Sequence, residues 1–514
     1  MRRSGSILVG VVALFAASCD GCNHKGGQDG GGGNGGDGGG TADMAVAAGT
    51  CNVDADCNNS AEHCCSNVCV ETASCALSVT QVLPPGGFQN GGEFITLKGD
   101  GFAAGMKVFI EKGRAPVRVV DAQTARIQAP PGPVGMQDLA ITVGGATAIL
   151  HQGYSYRSAG LETAWEQKPL VKVRGEDPGL AVMQDGRVLV AGGTTVPDDA
   201  AMSLATAEIY TRSSDTVTPA ANTMSTPRWQ NSAVTLLTGK VLVVGGASGI
   251  GGTPTGSGQA ADLFDPTTNM FTATANQLNM PRYYTHAVLM VDGRVFISSS
   301  NDPSIEIYDP DADKFTLISH TPLHQFGSVV RLRDGRVLLF AGDGGNQAAE
   351  LFDSDTDTFT TTGAMVAGRS MLTAHTLPDG RVLAIGGAST SAGAITDPLG
   401  SIDIYDPANG TFTTAPYKLL TPRCWQASAL VRDGTILVMG GYTLHDDCGS
   451  SVATVETIDP VAGTVTSFSN LPNTNTEWTA VTLLDGSVLG VGGGACNTSM
   501  ALPDIDFLAG APIP

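Results

Sequence analysis

From about residue 160 onward, apolar residues fall in short runs divided by tight polar corners, and the arrangement recurs seven times. A turn of Asp-Gly form (Thr-Gly in the second copy) places glycines at Gly186, Gly239, Gly293, Gly335, Gly380, Gly434 and Gly486, at intervals of 53, 54, 42, 45, 54 and 52 residues. An apolar run precedes each corner, as in Ser232-Ala233-Val234-Thr235-Leu236-Leu237, and another follows, as in Arg336-Val337-Leu338-Leu339-Phe340. Two such runs on a two-residue link predict a β-hairpin. A glycine pair then appears at Gly192-Gly193, Gly245-Gly246, Gly386-Gly387, Gly440-Gly441 and Gly492-Gly493. A third run ends at Asp-Pro, as in Ile305-Glu306-Ile307-Tyr308-Asp309-Pro310, and a fourth carries Phe271, Phe315, Phe359 or Phe412. The third copy departs from the pattern with Ser298-Ser299-Ser300 in place of the glycines, and the fourth has a looser Ala341-Gly342-Asp343-Gly344. Self-similarity at this period predicts four-stranded units stacked in an all-β repeat architecture.

The seventh unit shows only three strands, the last at residues 504–508. An open ring would expose two strand edges. Residues 163–173, with Trp165 and Leu170-Val171-Lys172-Val173, are therefore expected to supply the missing outer strand. The repeat resembles the kelch family over about residues 160–511, and the resemblance implies a seven-bladed β-propeller.

Residues 77–157 read as further short strands: Phe94-Ile95-Thr96-Leu97, Met106-Lys107-Val108-Phe109-Ile110, Ala125-Arg126-Ile127-Gln128-Ala129 and Leu139-Ala140-Ile141-Thr142-Val143. Gly and Pro clusters separate them, which predicts a β-sandwich. Pro84-Pro85-Gly86-Gly87, Gly91-Gly92, Gly99-Asp100-Gly101-Phe102, Pro130-Pro131-Gly132-Pro133 and Tyr154-Ser155-Tyr156 resemble the landmarks of the IPT/TIG family. That resemblance implies an Ig-like domain used as a spacer or interaction module, and the setting favours a spacer. Upstream, Cys51, Cys57, Cys64, Cys65, Cys69 and Cys75 crowd residues 51–76, where hydrophobic residues are few. Disulfides are expected to replace a core there, with 15 pairings open for six cysteines.

Arg2 and Arg3, then an apolar run over residues 7–17, form an export signal too short to span a bilayer. The run ends in Ala16-Ala17-Ser18-Cys19, which resembles a bacterial lipobox with Ala16 in the usual leucine position. The resemblance implies that residues 1–18 are removed and that Cys19 is lipidated, anchoring the chain at the outer membrane or cell surface. Residues 19–50, almost pure Gly, Asp and Asn over 26–40, predict a flexible tether.

Charge narrows the partners. The chain carries 28 Lys+Arg against 49 Asp+Glu, a net −21, which repels phosphate backbones and argues against nucleic acid. A monomer is expected.

In a propeller, the loops entering the first strands ring one mouth of the channel. Counting back eleven from each hairpin glycine gives Gly175, Arg228, Arg282, His324, Arg369, Arg423 and Asn475. The next two positions include Trp229, Tyr283, Tyr284, Phe326, Trp425 and Glu477, and Trp478 follows. If these side chains converge, they suit an anionic, carbohydrate or peptide ligand. Otherwise the arginines brace neighbouring blades by bonding carbonyls. Cys424, Cys448 and Cys496 map to the same face, and a disulfide within this trio is expected.

No cofactor is predicted. The acid runs Asp309, Asp311, Asp313 and Asp353, Asp355, Asp357 lack the glycine and the twelfth-position glutamate of a calcium loop, where His320 and Ala364 stand instead. Met280-Pro281-Arg282-Tyr283-Tyr284-Thr285-His286 resembles ligand-bearing strands of galactose oxidase-like copper-radical enzymes, and His286 and His375 share inward parity. The family's adjacent Tyr-His pair is missing, so the ligand set is incomplete. The sequence therefore reads as an envelope-anchored recognition or adhesion protein that binds a glycan, peptide or protein at the propeller mouth, with a copper-radical or other propeller enzyme as the alternative. Catalytic residues are not assigned.

Overall fold

The second run of every repeat is the most apolar, and it occupies the dry middle of each sheet. In the computed structural model Val188–Ala191, Val241–Val244, Val295–Ser298, Val337–Phe340, Val382–Ile385, Ile436–Met439 and Val488–Gly492 are all buried. The structure describes residues 63–65, 68–70 and 76–510, except 176, 196–202, 249–256, 320–323, 325, 343–345, 392–393, 445–449, 474–477, 496–499 and 502–503. Among these residues no helix is long and apolar enough to cross a membrane. Residues 1–50, with the signal, Cys19 and the tether, lie outside the description, as do Cys51, Cys57 and Cys75. A short hairpin pairs Cys64 with Cys69 across His63–Cys65 and Val68–Val70.

Residues 78–157 form the expected β-sandwich. One sheet comprises Ser78–Leu83, Phe94–Asp100, Thr124–Gln128 and Val117–Asp121; the other is centred on Gly135–Val143 and Ala146–Arg157. Ile95, Leu97, Val108, Ile127, Leu139, Ile141, Tyr154 and Tyr156 share its core. The Tyr156 hydroxyl donates to the Pro130 carbonyl at 2.6 Å. A Cβ on Gly132 would sit 2.4 Å from the Tyr156 ring, so only glycine fits there.

Seven four-stranded antiparallel sheets follow, here called blades 1 to 7 in chain order of their first strands, which are Gly179–Val182, Ser232–Thr235, His286–Leu289, Ser328–Arg331, Thr373–Thr376, Ala427–Leu430 and Trp478–Thr482. Blades 1 to 6 take their four strands in sequence order, with a small extra sheet inserted in blade 5. Blade 7 is completed from upstream: Leu161–Pro169 pairs antiparallel with Asp504–Gly510, placing Trp165 opposite Leu508. The predicted seam is present, although Leu170, Val171, Lys172 and Val173 fall beyond its strand. Leu170, Leu180, Val188, Leu489 and Val491 then pack blade 7 onto blade 1 and close the ring.

The sandwich docks on the corner face of the ring. Lys107 and Arg114 both reach Asp355 at 2.7 Å, Arg118 reaches Asp311 at 2.7 Å, and Arg333 reaches Glu111 at 3.1 Å. Backbone bonds join them as well, from the Arg114 amide to Arg333 O and from the Val117 amide to Val291 O. Hydrogen bonding from Arg114, helped by Lys107, holds the Asp355 carboxyl down to about 2. The acid runs are thus spent on docking and turns: Asp309 accepts the Asp311 amide, Asp313 accepts the Tyr308 hydroxyl, and Asp357 pairs with Arg294. On the channel side, Arg331 joins the Leu289 carbonyl to Gln128 of the sandwich.

Candidate functional site

The arginine column lies inside the blades. Arg228, Arg282, Arg369 and Arg423 are fully buried. Each pairs with the acid of its own third strand: Arg228 with Asp262, Arg282 with Glu306 at 3.1 Å, Arg369 with Asp403 at 3.2 Å, and Arg423 with Glu456 at 2.6 Å. In blade 1, Arg174 does the same with Glu208 at 3.1 Å, one residue before Gly175. His324 takes the place in blade 4, with Nε2 3.3 Å from Glu350. Burial pulls the guanidinium pKa values below their ordinary range, and the paired acids oppose the shift.

The column also stitches neighbouring blades. The carbonyls of Arg228, Arg282, Arg369 and Arg423 accept the amides of Gly193, Gly246, Gly342 and Gly387 of the preceding blade, at 2.8–3.0 Å. Arg369 and Arg423 in turn donate to Gly386 O and Gly440 O of their own glycine pairs. Ion-paired inside their blades and absent from the lining of the mouth cavity, the arginines and His324 act as braces and not as the mouth ligands expected above.

The next two columns part company. One position on from the arginine, Trp229 is buried against Ala247 and Tyr283, and Cys424 is buried with its backbone paired to Tyr442. Two positions on, the chain turns left-handed in each described blade: Asp177 (φ 43°), Gln230 (56°), Tyr284 (44°), Phe326 (52°), Met371 (57°) and Trp425 (53°). Such φ values cost a non-glycine residue roughly 1–3 kcal/mol each. They persist because the ring holds them. The Gln230 amide donates to Asp177 O, Thr285 to Gln230 O, Met371 to Phe326 O and Trp425 to Met371 O, at 2.9–3.2 Å. In blade 3, where Ser298-Ser299-Ser300 replaces the glycine pair, the Ser300 hydroxyl accepts the Phe326 amide at 3.0 Å.

The result is a single cavity of about 310 Å³ at the mouth, bordered by all six left-handed side chains and by Asn231, His286, Gln426 and Trp478. Its two halves differ. Blades 3, 4 and 6 supply rings that touch one another: Tyr284 and Phe326 at 4.8 Å, Tyr284 and Trp425 at 5.4 Å, Phe326 and Trp425 at 5.6 Å between centroids. Blades 7, 1 and 2 supply Trp478, Asp177, Gln230 and Asn231. Asp177, Gln230, Met371, Asn231 and Gln426 escape a search for basic and aromatic residues. Their signal is register alone, since Asn231 and Gln426 stand eight residues before Gly239 and Gly434. Glu477, Asn475, Cys448 and Cys496 lie outside the described residues, so the Cys424–Cys448–Cys496 expectation lies there too.

Two groups at the cavity are shifted by burial. The Asp177 carboxyl is pushed up to about 7. His286 opens onto channel solvent yet is enclosed by the surrounding blades, which holds its imidazole below the usual value. Deeper in the channel, burial lowers His375 to about 4, and its Nε2 lies 2.6 Å from the Ser428 hydroxyl. Of the residues considered above as copper ligands, Tyr284 and His286 border the cavity. Tyr283 packs on Trp229, His375 is engaged with Ser428, and among the described residues no three His, Cys, Asp or Glu side chains come together as metal ligands.

Residues 77–158 match the IPT/TIG domain family. Beta-scruin of Limulus polyphemus is 26% identical over 191 residues, covering 34% of this chain and 20% of that protein. Alpha-scruin of the same animal is 23% identical over 204 residues, covering 36% and 22%. The chain thus spans about a fifth of the length of these relatives. A fungal alcohol oxidase of the AA5 family, solved in complex with copper, superposes with a TM-score of 0.55 at 17% identity, covering 68% of this chain and 76% of that one. At that identity the likeness is one of fold. The ring is a kelch-type propeller behind an IPT/TIG domain.

Proposed function

We propose that this chain is a recognition protein of the cell envelope, exported by residues 1–18, anchored through lipidated Cys19, and binding a glycan, peptide or protein segment in the mouth cavity. One observation carries the binding reading. Six blades accept left-handed backbone at the same position, and each thereby turns a different side chain into one cavity. A purely structural repeat would put glycine there, as this chain does at its glycine pairs. Variable side chains on a constant, strained scaffold are the arrangement of a binding site. The sandwich supports the same orientation, because it covers the corner face and leaves the mouth on the other side.

The test is a glycan and peptide array probed with the full chain, alongside Tyr284→Ala and Trp425→Ala. Loss of signal in both variants with unchanged thermal stability supports the mouth as the site. Equal signal in all three proteins removes it. The copper-radical alternative rests on fold alone. Copper content and a tyrosyl-radical spectrum of the purified protein decide it.

A further inference from the structure

The polar atoms around the mouth do not satisfy one another. Asp177 Oδ2, Asn231 Oδ1, Gln426 Oε1, Thr373 Oγ1 and Trp478 Nε1 are buried without a hydrogen-bond partner, and all five residues border the same cavity. Buried orphans are rare in folded proteins, and several at one cavity mark a place where something else completes the bonding. The amides are held so that the acceptor end is the free one. Asn231 Nδ2 donates to Ala191 O at 3.4 Å and Gln426 Nε2 to Ile385 O at 2.9 Å, each the last residue of the preceding blade's second strand. Asn231 and Gln426 are themselves 7% and 4% exposed. Trp478 is fixed by its own blade, since a Cβ on Gly490 would lie 1.9 Å from Cζ3 of the indole.

Two of the five orphans are therefore amide oxygens, which only accept, and a third is a carboxyl oxygen that accepts when Asp177 is ionised. The Tyr284, Phe326 and Trp425 rings, whose faces attract cations, border the same cavity. Among the described residues that border the cavity there is no Lys or Arg. Among those described residues the basic side chain is that of His286, whose enclosure holds its imidazole below the usual value. The chain's net charge of −21 adds a field that draws cations in.

We propose that the mouth cavity binds an organic ammonium or guanidinium group, its N–H donors taken by Asp177, Asn231 and Gln426 and its charge resting against the Tyr284–Phe326–Trp425 rings. This deepens the recognition reading and rests on it. The chemistry is shared by a lysine or arginine side chain of a peptide and by the free amine of an amino sugar, and the experiment separates these sources. Asp177 meets such a group as a carboxylate, and a bound cation favours that form over the neutral one that burial alone supports.

The full chain is titrated calorimetrically with a short lysine peptide, with glucosamine, and with the N-acetylated form of each. One amine is expected to bind, with acetylation weakening it at least tenfold, Asp177→Asn weakening it by a similar factor, and Trp425→Leu weakening it further. The thermal midpoint of Asp177→Asn is measured in parallel and is expected to be unchanged or raised, because burial already favours an uncharged side chain there. The inference is overturned if the acetylated probes bind as well as the amines, or if Asp177→Asn leaves amine affinity unchanged. An array ligand that is neutral, and is lost with Trp425→Leu but not with Asp177→Asn, refutes the cation while leaving the mouth as the binding site. If neither variant alters any ligand found, both readings fall.

Discussion

Arg423 offers the sharpest test of the bracing role. Its Nη1 donates to Gly440 O and Thr454 O at 2.8 Å, its Nη2 to the Thr454 hydroxyl at 2.9 Å and to Glu456 at 2.6 Å, and its Nε to Thr421 O at 3.2 Å. Glu456 accepts in addition the Leu420 and Thr421 amides, at 2.7 and 2.9 Å. Arg423→Met keeps much of the volume but strips five donors and leaves a buried carboxylate beside two amides. Removing one member of a buried pair costs about 3–5 kcal/mol. Glu456→Gln keeps the acceptor oxygen and removes the charge, so about 1–3 kcal/mol is expected. Because the two side chains touch, the double variant is expected to lose less than the sum, by about 0.5–3 kcal/mol. Urea denaturation followed by tryptophan fluorescence reads the loss, urea being preferred because guanidinium salt screens ion pairs. A loss below about 1 kcal/mol for Arg423→Met would refute the brace. So would loss of ligand affinity in a variant of unaltered stability, since that is how a mouth arginine behaves.

Three further outcomes follow from the same geometry. Asp355→Ala removes the shared anchor of Lys107 and Arg114 and is expected to weaken sandwich docking by about 1 kcal/mol at low salt and by less at 1 M salt; faster amide exchange over Gly113–Ala115 and Val117–Asp121 is the readout. His375 has a folded pKa of about 4 against an ordinary 6.5, so its neutral form is fully compatible with the fold above pH 6.5 and stability falls as pH drops from there toward 4; His375→Gln is expected to flatten that acid limb in a pH series of melting curves. Gly490→Ala places a methyl on the Trp478 indole and is expected to lower the melting midpoint and blue-edge tryptophan emission together, while Gly105→Ala, in open space on the sandwich at φ +79°, is expected to cost only about 1 kcal/mol of backbone strain.

Most of the fold is legible in one dimension because hairpin corners and apolar runs report directly on strands. The Asp-Gly register places all seven first strands, and the three-strand count of the last unit correctly sends Trp165 to the seam. The site was legible only in part. Arg423 and Trp425 stand two residues apart and look equally suited to a ligand, yet a left-handed turn at Trp425 faces it into the mouth while Arg423 runs back into its blade. Nothing in residue type announces that turn, since Asp, Gln, Tyr, Phe, Met and Trp share it. The partner of Arg423 was equally hidden, because Glu456 lies 33 residues on and is brought near only by the sheet. The docked sandwich was missed for the same reason: Asp355 reads as a turn former until Arg114, 241 residues away in sequence, is laid against it.

The strand Leu161–Pro169 has to wait for Asp504–Gly510 before it has anything to pair with. Blades 1 to 6 can form their own ladders as the chain is made, while the ring stays gapped until Asp504–Gly510 is added. Ring closure therefore couples a strand laid down before blade 1 to one laid down after blade 6, and without Asp504–Gly510 the Leu161–Pro169 edge has no partner in blade 7.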